Sequence, residues 1–181
     1  MAQRQFWTVS NGLTMLRAAL VPVFCWTALQ QTVWFGFISI AVFVAASITD
    51  AYDGKLARQR NEITDFGKLA DPIADKALTG AAFVIMSYLG FFPWWATALL
   101  LIREWGITYW RLRIRNRVVH AANAGGKIKT TLQLIGISLA FWPQEAVLGG
   151  IVHPLGLLVV WVAFVVTMWS GAAYARELRT A

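Results

Sequence analysis

The 181-residue sequence has little of what a secreted or a soluble domain is built from. Its single cysteine, Cys25, excludes an internal disulfide and a thiolate cage around a metal, and in an apolar run it reads as packing. Charged residues make up 14% of the chain, roughly half the usual share, too little polar surface to coat a soluble body of this size. Acidic residues are scarcer still: nine, against sixteen Lys and Arg, for a net charge of +7. There is no internal repeat, no low-complexity tract and no hydrophilic segment longer than 111–123, so residues 1–181 read as a single membrane domain. The first residues lack a small-residue cleavage site, which argues against a signal peptide.

What the chain does have is hydrophobic mass. Hydrophobic residues are 58% of it, with ten Trp and eleven Phe, against roughly 45–50% hydrophobic in ordinary soluble domains. A bilayer core about 30 Å thick takes about 20 apolar residues per helix. Six runs of suitable length stand near 13–30, 35–57, 67–89, 94–113, 127–143 and 151–174. The expected fold is an all-α membrane protein of six transmembrane helices. A short N-terminal segment with Arg4, Phe6 and Trp7 would lie along the interface.

The positions of the basic residues orient this arrangement. Arg4 and Arg17, Lys55 to Lys76, Arg103 to Lys129, and Arg176 and Arg179 all fall on one side of the six runs. The connections on the other side, 30–34, 90–95 and 143–154, contain Glu145 as their one charge. An excess of Lys and Arg marks the cytoplasmic face, which places both termini and the two long connections in the cytoplasm. Trp34, Phe91, Phe92, Trp94, Trp95 and Trp142 sit at the opposite ends, as interfacial aromatic anchors do. In a soluble protein +7 would suggest nucleic acid; with the charges so placed, the expected partners are membrane lipids and no nucleic acid.

Four of the acids form a regular set. Asp50 and Asp53 close the second run, and Asp71 and Asp75 open the third. Spacings of three and four put each pair on one face of a helix, and the short connection lets two antiparallel helices face each other with the pairs opposed. Four carboxylates in one low-dielectric pocket repel, so they require protons or cations. Oxygen-only ligands favour Mg²⁺, Mn²⁺ or Ca²⁺, two ions being the natural filling. The competing use is capping of helix ends or pairing with Lys55, Arg58, Lys68 and Lys76. Gly54, Ala57, Gly67 and Ala70 leave backbone unshielded beside the acids, open to a flat or phosphorylated ligand or to close helix packing. Arg58 offers a fork for phosphate oxygens.

As one string, Asp50-x2-Asp53-Gly54-x2-Ala57-Arg58-x8-Gly67-x3-Asp71-x3-Asp75 resembles the signature of the CDP-alcohol phosphotransferases, every fixed position being matched. The resemblance implies an integral membrane enzyme of six helices, usually a homodimer, that transfers a phosphatidyl group from a CDP-linked lipid to an alcohol and releases CMP. It further implies that Asp50, Asp53 and Asp71 hold one ion, Mg²⁺ or Mn²⁺, and Asp50, Asp71 and Asp75 a second. Asp75 would also be the catalytic base, and Gly54, Ala57, Arg58, Thr64 and Gly67 would line the CDP-lipid site, Thr64 at a position that the signature leaves variable.

The chemistry suits such a set. Displacing CMP from a pyrophosphate builds charge on attacking, bridging and leaving oxygens, which two metals stabilise together. An alcohol is not ionised at neutral pH, so a carboxylate must take its proton as the new bond forms, and Asp75 lies deepest along the third run. Pro72, beside Asp71, removes one helical donor and is expected to kink or start the helix there.

The acceptor is read from the other cytoplasmic charges. Arg103 and Glu104 lie about ten residues inside the fourth run, where ionisable groups usually serve a site, although Arg103 has a plain structural use in pairing with Glu104 or with an aspartate across the bundle. Lys127 and Lys129 open the fifth helix, whose N-terminus already favours anions; snorkelling to lipid headgroups is their competing use. Arg103, Lys127 and Lys129 are the candidate cations for an acceptor phosphate.

Ile102-Arg103-Glu104 and Gly126-Lys127-x-Lys129-Thr130, with Asn11-x-Leu13-Thr14-x2-Arg17, narrow the resemblance to the phosphatidylglycerophosphate synthase branch. That branch implies CDP-diacylglycerol as donor and sn-glycerol 3-phosphate as acceptor. The product is phosphatidylglycerophosphate, on the way to phosphatidylglycerol and cardiolipin, made at the cytoplasmic face of a bacterial cell membrane. Phosphatidylinositol phosphate synthases and cardiolipin synthases of the same family share the aspartate core and remain alternatives. A cation transporter is a more distant one, because carriers place charge near the bilayer midplane in matched halves and none are visible here. His120 and His153 fall on opposite sides and receive no role.

Overall fold

The computed structural model describes residues 9–60, 65–114 and 124–180, with side chains over 12–49, 73–74, 76–109 and 128–172. Among these residues the chain is all-α: α1 Val9–Leu29, α2 Val33–Arg60, α3 Asp65–Tyr88, α4 Trp94–Ile114, α5 Ala124–Ala140 and α6 Gly149–Thr180. Each apolar run has become one helix. The largest difference is at the end of α6, which continues six residues beyond 174 through Ala-Arg-Glu-Leu-Arg-Thr. Good helix formers carry a helix on after hydropathy has stopped marking it. At the other end of the scale α5 stops at Ala140 rather than 143, since Phe141 and Trp142 bond back to Ile137 and Leu139 and Pro143 follows. Pro72 does not start α3, which begins seven residues earlier at Asp65.

The helices gather into two units, Met1–Ile85 and Met86–Ala181. In the first, α1 packs on α2 through Phe24 and Phe43, both fully buried, with ring centroids 5.5 Å apart; Ala28 and Ala46 are buried as well. The two helices are joined by only three residues. Thr32 caps α2, its hydroxyl accepting from Phe35 N–H at 3.4 Å and its carbonyl from Gly36 N–H at 2.8 Å.

In the second unit α5 packs on α6, and α4 also touches α6. The α5–α6 crossing is close: a Cβ on Gly156 would lie 2.3 Å from Ala140 N. Beside it the buried His153 donates from Nδ1 to the Ala140 carbonyl at 2.7 Å, which fixes its tautomer in a packing role. α3 leads into α4 through a left-handed Gly90 (φ 78°), with Phe91 N–H on Met86 C=O and Gly90 N–H on Ser87 C=O. This pair of bonds satisfies helix-end carbonyls that would otherwise be orphaned. The hydroxyls of Ser87 and Thr97 then meet at 2.7 Å across the turn.

Two helical stretches, Gly12–Leu29 and Gly149–Ala172, are long and apolar enough to cross a membrane, and α2 and α5 carry shorter apolar stretches, Val33–Thr49 and Ile128–Ala140. Trp34, Trp169, Ile102 and Ile151 are each exposed by 69% or more. Large apolar side chains facing outward on this scale suit a hydrocarbon surrounding rather than water. The protein is membrane-associated.

Candidate active site

The acidic set lies on helix throughout. Asp50, Asp53, Gly54, Ala57 and Arg58 belong to the last part of α2; Gly67, Asp71 and Asp75 belong to the first part of α3. Because α2 runs unbroken past Asp53 to Arg60 and α3 begins before Asp71, the i,i+3 and i,i+4 spacings are helical spacings in fact, and each pair shares one side of its helix. Thr64 lies outside the described residues, as do the side chains of the other positions named here. No group of three His, Cys, Asp or Glu gathers among the described residues, a set that does not include the four aspartates. Carboxylate-only donors on adjoining helical turns have the chemistry that hard divalent cations require.

The second set lies in the unit formed by residues 86–181, and its side chains are described for Arg103 and Lys129. Arg103 stands ten residues into α4, with Glu104 next to it, nine-tenths buried. Arg103 Nη1 donates to Glu104 Oε1 at 2.7 Å. Lys129, in the second turn of α5, donates from Nζ to the same carboxylate oxygen. Lys127 lies in the first turn of α5, its side chain outside the described residues. α6 supplies a third element: Arg103 Nη2 donates to Ser170 Oγ at 2.8 Å, and Ser170 in turn donates to Thr167 C=O at 3.0 Å. Thr167 also accepts from the buried Gln133 of α5 at 3.4 Å.

A polar seam therefore links α4, α5 and α6 inside the second unit. Glu104 brings Arg103 and Lys129 to one point, which answers how two cations can be held in a low-dielectric interior. Arg103 Nε is buried without a hydrogen-bond partner. A guanidinium with an unused donor has the chemistry that an anion, phosphate above all, requires. Of the uses considered for Arg103, the structure shows the pairing with Glu104.

Sequence reasoning missed the contribution of α6. Ser170 and Gly171 interrupt an apolar helix, and a polar–small pair at that place is the signal that would have pointed to them.

Comparison with known proteins covers both sets. The CDP-alcohol phosphatidyltransferase family profile matches residues 7–169. A "Probable phosphatidylglycerophosphate synthase" of Mycobacterium tuberculosis is 40% identical over 181 residues, spanning 94% of this chain and 82% of the relative. Proteins named "CDP-diacylglycerol--glycerol-3-phosphate 3-phosphatidyltransferase" are similar along nearly their whole length. That of Bacillus subtilis is 38% identical, with 91% of each chain covered, and that of Pectobacterium atrosepticum is 34% identical, with 92% of each covered.

Proposed function

Since this chain belongs to the CDP-alcohol phosphatidyltransferase family, we propose that it transfers the phosphatidyl group of CDP-diacylglycerol to sn-glycerol 3-phosphate, giving phosphatidylglycerophosphate and CMP. The observation that carries this reading is near full-length similarity, at 34–40% identity, to phosphatidylglycerophosphate synthases of three bacteria. The complete aspartate string on two consecutive helices supports the same chemistry.

Within that reaction Asp50, Asp53 and Asp71 would hold one divalent ion and Asp50, Asp71 and Asp75 another, Mg²⁺ or Mn²⁺. Bound there, the ions supply neutralisation of the charge that builds on the pyrophosphate oxygens. Asp75 accepts the proton of the glycerol 3-phosphate 1-hydroxyl as its oxygen bonds to the β-phosphorus of the donor, and the bond from that phosphorus to the bridging oxygen breaks to release CMP. Gly54, Ala57, Arg58, Thr64 and Gly67 would line the cytidine and diphosphate site, the small residues leaving room for it and Arg58 binding phosphate oxygens. Arg103, Lys127 and Lys129 bind the acceptor phosphate; the unpartnered Nε of Arg103 supports this assignment for Arg103.

All six helices cross the bacterial cell membrane, with both termini and the active site at the cytoplasmic face. The one-sided distribution of Lys and Arg supports this orientation. The family resemblance supports a homodimer as the working form. The test is CMP release by purified protein from CDP-diacylglycerol with Mg²⁺ or Mn²⁺, offering glycerol 3-phosphate, inositol 1-phosphate or phosphatidylglycerol separately. Release with glycerol 3-phosphate alone is expected. Release with another acceptor would keep the aspartate chemistry and discard the acceptor assignment, and no release with any would refute the activity.

A further inference from the structure

The cations assigned to the acceptor phosphate are long side chains, and an isolated Arg or Lys loses much rotamer freedom when it is held for a ligand. Arg103 is held already. Its Nη1 is tied to Glu104 and its Nη2 to Ser170, two bonds that restrain the guanidinium and leave Nε without a partner. Gly171 completes the constraint from the next position of α6. A Cβ there would lie 2.8 Å from Arg103 Nε and 3.2 Å from its Cγ, so the arginine stem runs close over bare backbone and would have to shift if a side chain were added. Ser170 is itself oriented by its bond to Thr167 C=O, one turn back along α6. The bond from Arg103 to Ser170 joins residues 67 apart in sequence, and nothing in α4 alone would set it.

We propose that Ser170 and Gly171 of α6 are positioning residues for the acceptor: they preset the Arg103 guanidinium so that the phosphate of a small phosphorylated alcohol meets a cation that needs no further ordering. The inference rests on the acceptor-site reading above. A preset donor raises affinity mainly by removing an ordering cost, so its loss appears in the acceptor KM rather than in the donor KM.

The experiment uses the full chain in detergent with divalent metal, following CMP release while glycerol 3-phosphate and CDP-diacylglycerol are varied in turn. Gly171→Ala is expected to raise the acceptor KM about tenfold, the scale of one misaligned charge-assisted hydrogen bond, with the donor KM and the rate at saturating acceptor within about twofold of the parent. Ser170→Ala is expected to raise the acceptor KM less, and Ser170→Thr, which keeps the hydroxyl, to restore it. In an Arg103→Ala background neither α6 substitution should change the acceptor KM further, because both act through that side chain.

Equal rises in both KM values, or α6 effects that persist without Arg103, would overturn the proposal and leave Ser170 and Gly171 as packing residues. If Gly171→Ala does not assemble, the Ser170→Ala and Ser170→Thr pair in the two backgrounds decides the same question. Should Arg103→Ala raise the acceptor KM while the α6 variants do not, the positioning role fails and the acceptor site stands. Should Arg103→Ala leave it unchanged, the acceptor-site reading fails and the positioning role with it.

Discussion

The two charged sets of this protein are organised on different principles. The acids of α2 and α3 come in pairs three and four residues apart, within a stretch of 26 positions from Asp50 to Asp75. Their relation is local, written in helical period and a short connection. The cations of α4 and α5 are held by a carboxylate next to one of them and 25 residues from the other, and by a hydroxyl 67 residues away on α6. That relation is tertiary. Like charges so dense and so regular in sequence would repel until cations arrived, whereas charges held by mixed partners from several helices are partly neutralised by the fold itself.

Substitutions can break this contrast in order of expected effect. Asp71→Asn, at a position assigned to both ions, should abolish CMP release, as should removal of divalent metal by chelation; full activity in either case would sink the two-metal proposal. Asp75→Asn should also abolish turnover, by losing the base, while CDP-diacylglycerol binding persists when measured separately. On the basic side the loss should be graded rather than absolute: Arg103→Ala and Lys127→Ala should each raise the acceptor KM by about ten- to a hundredfold, with the donor KM nearly unchanged, as expected for a lost charged hydrogen bond. An unchanged acceptor KM would return both residues to structural roles.

Two further substitutions probe the packing rather than the charge. Gly156→Ala puts a methyl against the Ala140 backbone and should lower stability by about 1–3 kcal/mol, seen as a reduced melting temperature in detergent. Thr32→Ala removes the cap of α2 and should lower stability by about 1 kcal/mol, the smallest change of the series. If Gly156→Ala proved neutral, the close α5–α6 crossing would not be the constraint that it is taken to be.

Much of the fold was legible because an apolar run about 20 residues long has few ways to satisfy its backbone other than a helix. All six helices lie where the runs are. Their ends were harder to place, since α6 leaves the hydrophobic pattern at about 174 and continues on helix propensity alone. Pro72 was misleading as a start signal, for α3 already has its first turns before it. Arg103, Glu104 and Lys129 were individually visible as charges in apolar surroundings, but their convergence on one carboxylate oxygen was not.

By itself the sequence determined the helical class, the number of helices and the helical spacing of each aspartate pair, because these follow from hydrophobic length and from a period of 3.6 residues. The tertiary structure alone decided that Glu104 serves two cations, that Ser170 and Gly171 hold Arg103, and that His153 is packing. Each of those depends on which helix faces which, and side chains far apart in sequence acquire a shared electrostatic environment only when packing has removed the water between them.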